Sequence, residues 1–139
     1  MPETLKQRPG SMRLVDALQY RLPLAGLVSI LHRASGLILF LLMPFIVWMF
    51  DTSVTSEISY SRFVSLFSVG AGWFGGWFFK LVALGLIWAY LHHFIAGLRH
   101  LWMDATHAVS REFGHQSAIA TLGLSGLLTL VLGIKLFFF

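Results

Sequence analysis

A first group of polar side chains interrupts an otherwise apolar stretch and has the residue types needed for redox chemistry. It consists of Ser29, His32 and Arg33. In a helix Ser29 and Arg33 share a face because they are four residues apart, whereas His32 lies about 100° around the axis. A hydroxyl and a guanidinium on one face can donate hydrogen bonds to a carbonyl oxygen and stabilise its anionic form. The alternative is an arginine that anchors a helix end by snorkelling beside a satisfied serine.

A second polar group contains two histidines on one predicted helix face. It consists of His93, Gly97, His100 and Asp104, at spacings of four, three and four residues. At about 1.5 Å per residue, His93 lies roughly 16 Å deeper than Asp104, where a neutral imidazole is a suitable iron ligand. Gly97 leaves room for a flat macrocycle, and His100 could meet a carboxylate. The alternative is a structural histidine bonded to a carbonyl of a neighbouring helix.

The geometry of an iron macrocycle adds a requirement to the second group. A haem with two axial histidines needs them on opposite sides of the ring, and two histidines on one helix cannot supply this arrangement. If His93 is one ligand, the other therefore comes from another helix. His32 enters the membrane from the same side and is one source, and a second chain is the other source. The sequence leaves both open.

Three long apolar stretches position these side chains. They cover about residues 22–50, 76–104 and 115–138, and each exceeds the roughly 20 residues that a helix needs to cross about 30 Å of hydrocarbon. The sequence therefore predicts an all-α membrane protein with three transmembrane helices and a single membrane-anchor domain over 1–139. Residues 51–68 are polar and rich in serine and threonine, which predicts an external loop. The glycines and tryptophans that follow indicate an interfacial belt with close helix approach.

Composition supports a membrane location and excludes several classes of function. The chain is 57% hydrophobic and 12% charged, with a mean hydropathy of +0.77, whereas soluble proteins carry about 25% charged residues. The absence of cysteine excludes a thiolate metal site, an iron–sulfur cluster and a cysteine nucleophile. No Gly-rich phosphate loop, GxSxG or HExxH motif is present, and no basic run indicates nucleic-acid binding.

The distribution of Lys and Arg predicts the orientation. Seven of these residues lie before or at the first span or in the second connection, and three lie on the opposite side. The positive-inside rule therefore puts the N-terminus, with segment 1–21, in the cytoplasm and the C-terminus in the periplasm. Segment 1–21 lacks the features of a secretory or transit peptide, so we expect a multi-pass protein of the bacterial inner membrane. The seven are Lys6, Arg8, Arg13, Arg21, Arg33, Arg99 and Arg111, and the three are Arg62, Lys80 and Lys135.

The connection between the second and third spans carries its own polar residues, and their spacing requires no ligand. We expect a solvated cytoplasmic loop there, which could serve as a docking surface for a soluble partner. The residues concerned are His107, Arg111, Glu112 and His115.

Several motifs closely resemble those of the cytochrome b subunit of succinate dehydrogenase, in its bacterial type. The similarity extends over nearly the whole chain, and both long motifs stand in the expected spans. One departure lies at residues 11–14, where Ser-Met-Arg-Leu replaces the Ser-Pro-His-Leu run of many members. The matching motifs are Arg8-Pro9, Arg21-Leu22-Pro23, the run Ser-Ile-Leu-His-Arg-Ala-Ser-Gly over 29–36, and His93-x-x-x-Gly97-x-Arg99-His100 with Asp104.

The resemblance implies a haem b site. His93 is then the axial ligand that holds the haem iron, with the second ligand supplied by a partner subunit. His32, Arg33 and His100 are then expected in the region of the haem propionates. The adjacent His92 falls outside the motif and receives no role.

The resemblance also implies a site for ubiquinone. Ser29 and Arg33 are expected to line this quinone site, so that Arg33 serves both groups. Asp104 matches a motif position close to the haem edge and the quinone. Ubiquinone is the substrate at this site, and haem b is the resident cofactor.

The family works within a larger oxidoreductase, which implies partners for this chain. The chain is expected to form half of a heterodimeric haem-binding helix bundle with a second small membrane subunit. The pair anchors an iron–sulfur subunit and a flavoprotein to the lipid bilayer as succinate dehydrogenase (quinone), respiratory complex II, which passes electrons from the tricarboxylic acid cycle to quinone. This chain alone carries no flavin or dicarboxylate site. The alternatives are a fumarate reductase anchor, a small transport subunit with a His and Arg proton path, and an anchor that has lost its haem.

Overall fold

The structure is a computed structural model that describes Val15 and residues 21–138. The rest of the predicted cytoplasmic segment 1–21 lies outside the described residues. Within 21–138 the backbone forms five helices and one small antiparallel hairpin. The helices are α1 (Leu24–Leu41), α2 (Met43–Val54), α3 (Glu57–Ser68), α4 (Gly76–Thr106) and α5 (Arg111–Phe138), and the strands are β1 (Gly70–Ala71) and β2 (Phe74–Gly75).

Three of these helices, α1, α4 and α5, are long and apolar enough to cross a membrane. They pack against one another, and the start of α1 lies beside the end of α4 and the start of α5. Neighbouring spans are therefore antiparallel, as short connections in a bundle require. The prediction of an all-α membrane protein with three spans is confirmed. The side of the membrane on which each terminus lies stays a prediction from the Lys and Arg count.

The first predicted span, 22–50, is not one continuous helix. α1 ends at Leu41, and α2 begins with Pro44 in its first turn. Proline has no N–H to donate and its ring excludes the carbonyl of the preceding turn, so a helix ends or bends just before it. The 18 residues of α1 correspond to about 27 Å, which is close to the thickness of the hydrocarbon layer. The predicted span 22–50 therefore contains two consecutive apolar helices, α1 and most of α2.

The segment predicted as an external loop, 51–68, contains helix α3. Ser56 and Ser59 cap each other at its start: the Ser59 N–H donates to Ser56 Oγ at 3.1 Å, and the Ser56 N–H donates to Ser59 Oγ at 2.9 Å. This reciprocal cap satisfies two backbone donors that would otherwise lack partners. The loop prediction was wrong because it counted the serines as polar loop residues and overlooked their capping.

A short hairpin joins α3 to α4, and glycines make it possible. Gly70 and Gly72 have φ angles of 94° and 59°, which residues other than glycine rarely adopt. Gly76 is buried, and a Cβ there would lie 2.5 Å from the carbonyl oxygen of Phe67. The close approach expected in this segment is therefore present at Gly76. Trp73 is fully exposed, as a side chain at a membrane interface would be.

Small side chains bring the long helices together. Val28 of α1, Ala96 of α4 and Ala118 of α5 form the buried core. Small residues allow close backbone approach, and in lipid this packing replaces the hydrophobic driving force between helices. Polar side chains are buried in the same bundle, namely Ser35, His92, Arg99, Thr121 and Ser125.

Candidate functional site

Three histidines from two helices meet inside the bundle. The ring of His32 on α1 stacks on that of His93 on α4, with centroids 4.2 Å apart and an interplanar angle of 12°. The His32 centroid also lies 5.1 Å from that of His100. All three are half-buried. The antiparallel packing of α1 and α4 thus unites residues from both polar groups of the sequence, and we call His32, His93 and His100 the histidine cluster.

Hydrogen bonds determine which nitrogen of His93 is free. Its Nδ1 lies 3.0 Å from the carbonyl oxygen of His32 and 3.3 Å from Ser35 Oγ. A carbonyl oxygen only accepts, so Nδ1 carries the hydrogen and donates. The neutral ring then keeps its lone pair on Nε2, and a backbone carbonyl on the other nitrogen is the usual partner of a metal-binding histidine. In this tautomer Nε2 of His93 carries no hydrogen and keeps its lone pair.

Ser35 and Gly36 support His93, and the sequence analysis assigned them no role. Ser35 is fully buried, and its Oγ donates to the same His32 carbonyl at 2.9 Å. At Gly36 a Cβ would lie 2.8 Å from His93 Cε1, so the imidazole occupies space that only glycine leaves. Both residues belong to the 29–36 motif, and their small size one turn beyond His32 was the available signal.

Replacing Gly36 with alanine is expected to destabilise the protein by about 1–3 kcal/mol, the usual cost of overpacking. The matched control is Gly26→Ala on the same helix, where the nearest atom would be at 3.6 Å, an ordinary contact. Alanine favours a helix over glycine, so the control should be neutral or stabilising. Thermal unfolding of the purified protein measures the difference. Equal melting temperatures for the two variants would contradict the close contact with His93.

The space beside Gly97 contains an imidazole in this chain. A Cβ at Gly97 would lie 3.5 Å from Nε2 of His32, which is an ordinary contact distance. The sequence analysis expected this glycine to leave room for a flat macrocycle. The side chain that approaches it here is His32, which reaches across from α1.

The stacked geometry bears on whether His32 could be the second axial ligand. Two axial imidazoles point their nitrogens at one metal from opposite sides, with the macrocycle between them. Here His32 and His93 present parallel faces at 4.2 Å, which leaves no space for a macrocycle. A ligand opposite His93 is thus not provided by His32 in this arrangement.

The residues that the sequence analysis assigned to a quinone site lie on α1 and at the end of α4. Ser29 is half-buried and Arg33 is exposed, both within the continuous helix α1. Their spacing of four residues therefore places them on one face, as expected. Asp104 is exposed near the end of α4, one turn beyond His100. The start of α1 and the end of α4 lie at the same edge of the bundle.

His92 lies on a different side of α4 from the histidine cluster. It is fully buried, its Nδ1 is 3.3 Å from Ser125 Oγ on α5, and its ring stacks on Trp88 at 5.6 Å. Its Nε2 has no hydrogen-bond partner among the described residues. His92 therefore contributes to the interface of α4 with α5.

Arg99 has a structural role that the sequence analysis missed. It had been counted with the cytoplasmic connection, yet it is only 9% exposed within α4. Its Nε donates to Ser117 Oγ at 2.9 Å and its Nη2 to the Gly114 carbonyl at 3.2 Å. Arg99 and His92 are seven residues apart, so both face α5. Without Arg99, six Lys and Arg residues remain on the predicted cytoplasmic side against three on the other side. The orientation stays a prediction.

The second connection is shorter than expected. His107 ends α4 with φ 54°, and α5 already begins at Arg111. Arg111, Glu112 and His115 are exposed, as predicted for solvated residues, but they belong to the first turns of a helix. Glu112 accepts a hydrogen bond from Gln116 at 3.2 Å.

Three apolar spans with a histidine cluster between two of them define a multi-pass membrane protein whose polar site lies within the bundle. The chain belongs to the succinate dehydrogenase/fumarate reductase transmembrane subunit family, whose family model matches residues 4–132. The match covers almost the entire sequence. The resemblance inferred from the motifs is therefore confirmed.

Individual relatives agree with this assignment. The chain is 34% identical over 131 residues to the succinate dehydrogenase cytochrome b556 subunit of Paracoccus denitrificans, covering 94% of this chain and 95% of the relative. It is 30% identical over 120 residues to the cytochrome b556 subunit of Coxiella burnetii, with 86% and 91% covered. It is 29% identical over 112 residues to the cytochrome b560 subunit of Reclinomonas americana, with 81% and 76% covered. The chain is thus a transmembrane anchor subunit of an oxidoreductase.

Proposed function

We propose that this chain is the membrane-anchoring cytochrome b subunit of a succinate:ubiquinone oxidoreductase, where it binds haem b and forms part of the quinone site. The three relatives described above are all named as succinate dehydrogenase subunits, which favours succinate oxidation over fumarate reduction. The observation that carries the proposal is the hydrogen bond between His93 Nδ1 and the His32 carbonyl. It leaves Nε2 free to bind iron at membrane depth.

His93 fits the role of axial haem ligand. The His32 carbonyl and Ser35 Oγ orient its ring, and such hydrogen bonds raise the basicity of the ligating nitrogen. Haem b, when bound, supplies reversible one-electron transfer. Arg33 and His100 would donate charge-assisted hydrogen bonds to the propionate carboxylates, and His32 would lie in the same region.

The second axial ligand would come from a partner membrane subunit. Because His32 stacks face to face with His93, its ring cannot occupy the opposite side of a macrocycle in this arrangement. The long apolar helices are also mostly exposed in the isolated chain, so lipid or another helical subunit must cover them. A heterodimeric bundle satisfies both requirements.

Ser29 and Arg33 would form this chain's share of the ubiquinone site. Both side chains can donate hydrogen bonds, and they share one face of the first half of α1. A hydroxyl and a fixed cation stabilise the negative charge that a quinone carbonyl oxygen gains on reduction. The exposed carboxyl of Asp104 belongs to the same membrane edge and would lie close to this site.

The remaining redox groups would belong to other subunits. The chain contains no cysteine, and thiolates are the usual ligands of iron–sulfur clusters. We therefore propose an iron–sulfur subunit and a flavoprotein docked at the edge where α1 begins. The Lys and Arg distribution predicts that this edge faces the cytoplasm of a bacterial inner membrane.

Expression of the chain without other subunits is expected to give little haem-loaded protein, because one axial position has no ligand. Co-expression with the partner membrane subunit should restore sharp b-type bands in the reduced-minus-oxidised spectrum, at one haem per heterodimer. A transport subunit or a purely structural anchor would show no such bands under either condition. A fully haem-loaded single chain would contradict the shared site and make His32 the second ligand.

A further inference from the structure

A cavity of about 720 Å³ opens at the membrane edge where α1 begins, α4 ends and α5 begins. Its lining combines basic and apolar side chains. Within the described residues, no aspartate or glutamate lines it. The basic lining residues are Arg99, Arg111 and His115, and the apolar lining residues include Leu22, Leu24 and Met103.

Arg99 brings a buried positive charge to this cavity. It is only 9% exposed, and its recorded acceptors, Ser117 Oγ and the Gly114 carbonyl, are both neutral. A guanidinium remains charged at physiological pH. Burying a charge is costly unless an opposite charge compensates it, and the described lining supplies no carboxylate. The cavity therefore favours an anionic occupant.

The two other basic groups strengthen this preference and are exposed in the isolated chain. Arg111 and His115 lie one helical turn apart on α5 and are both exposed. The neighbouring Glu112 does not line the cavity and accepts a hydrogen bond from Gln116 instead. Arginine binds phosphate oxygens through two parallel hydrogen bonds. The basic lining residues can therefore bind a phosphate group.

We propose that this cavity binds an anionic phospholipid, with the headgroup phosphate against Arg99 and Arg111. The apolar lining residues favour a lipid over free phosphate, because an inorganic anion gains nothing from contact with Leu22, Leu24 or Met103. The glycerol backbone and the start of an acyl chain would contact these residues. Basic pockets between membrane helices at a bilayer edge bind such headgroups.

The test uses the full chain purified with its accompanying subunits, exchanged into detergent and titrated with phosphatidylglycerol. Bound lipid per complex is measured by native mass spectrometry. We expect Arg111→Gln to weaken binding about tenfold, as the loss of one hydrogen bond to a charged group implies, and Arg111→Gln with His115→Gln to weaken it further. Arg62→Gln is the matched control, since Arg62 is also an exposed helical arginine but lies on α3.

The outcomes separate the possible ligands. Binding that is weakened in the Arg111 variants and unchanged by Arg62→Gln supports the site. An equal loss of lipid binding in the Arg111 and Arg62 variants would show general electrostatic attraction and would overturn the site. Unchanged lipid binding in the Arg111 variants would overturn it as well. Competition by inorganic phosphate at concentrations similar to the lipid would identify free phosphate as the ligand and overturn the lipid assignment. Phosphatidylcholine should bind more weakly than phosphatidylglycerol.

Discussion

Replacing His93 with alanine is expected to abolish the b-type bands of the assembled complex. The Nδ1–H of His93 donates to the His32 carbonyl oxygen, with Nδ1 and the oxygen 3.0 Å apart, so Nε2 is the nitrogen that would bind the iron. Alanine has no ligand atom, and the neighbouring His32 ring is stacked parallel to the lost one and does not point across the site. The measurement is haem per complex from the reduced-minus-oxidised spectrum, which should fall at least about tenfold.

The adjacent histidine gives the control for this experiment. His92→Asn removes an imidazole one residue away but keeps a polar group near the position of Nδ1, where Ser125 Oγ can still be reached. The spectrum should remain largely intact, although we expect the protein to melt at a lower temperature because His92 is fully buried. If His92→Asn loses the bands while His93→Ala retains them, the ligand assignment is wrong.

Substitutions at Ser29 and Arg33 are expected to lower quinone reductase activity while the complex still assembles. Ser29→Ala removes a hydroxyl donor, and Arg33→Leu removes a cation that would stabilise charge on the quinone oxygen. A hydrogen bond to a charged group contributes about 1.5–3 kcal/mol, and about 1.4 kcal/mol corresponds to a tenfold change in rate. Each substitution should therefore reduce succinate-to-ubiquinone activity by roughly tenfold or more.

Two comparisons distinguish loss of the quinone site from loss of assembly or haem. Electron transfer from succinate to a soluble artificial acceptor should be unchanged, because that path ends before the membrane subunit. Arg62→Leu, at an exposed arginine on α3, should leave both activities intact. Unchanged quinone activity with a lost spectrum in Arg33→Leu would show that Arg33 serves only the haem, and the quinone assignment would fail for that residue.

Helix periodicity made much of the site predictable. The spacing of His93 and His100 on one helix and of Ser29 and Arg33 on another follows from a fixed rotation of about 100° per residue. Hydropathy alone located the three spans, because lipid requires every spanning helix to be long and apolar. The boundaries were less accurate: Pro44 divides the first span, and the Ser56 cap starts a helix where a loop was expected.

Contacts between helices were not predictable in the same way. Ser35 and Gly36 were read only as parts of a motif, yet in the structure they position His93. Arg99 was counted among solvent-facing charges, yet it is buried against α5. These outcomes depend on how each helix is rotated about its axis and on which neighbour it meets. Neither quantity is contained in the local spacing of one helix.

The sequence by itself determined that this protein is a three-span membrane subunit and which residues of each helix share a face, since both follow from local hydropathy and helical geometry. Only the tertiary structure decided that His32 meets His93 and His100, while His92 faces Ser125. The physical reason is that adjacent residues on a helix point about 100° apart. Small side chains at the helix contacts then select which of those directions faces which neighbour.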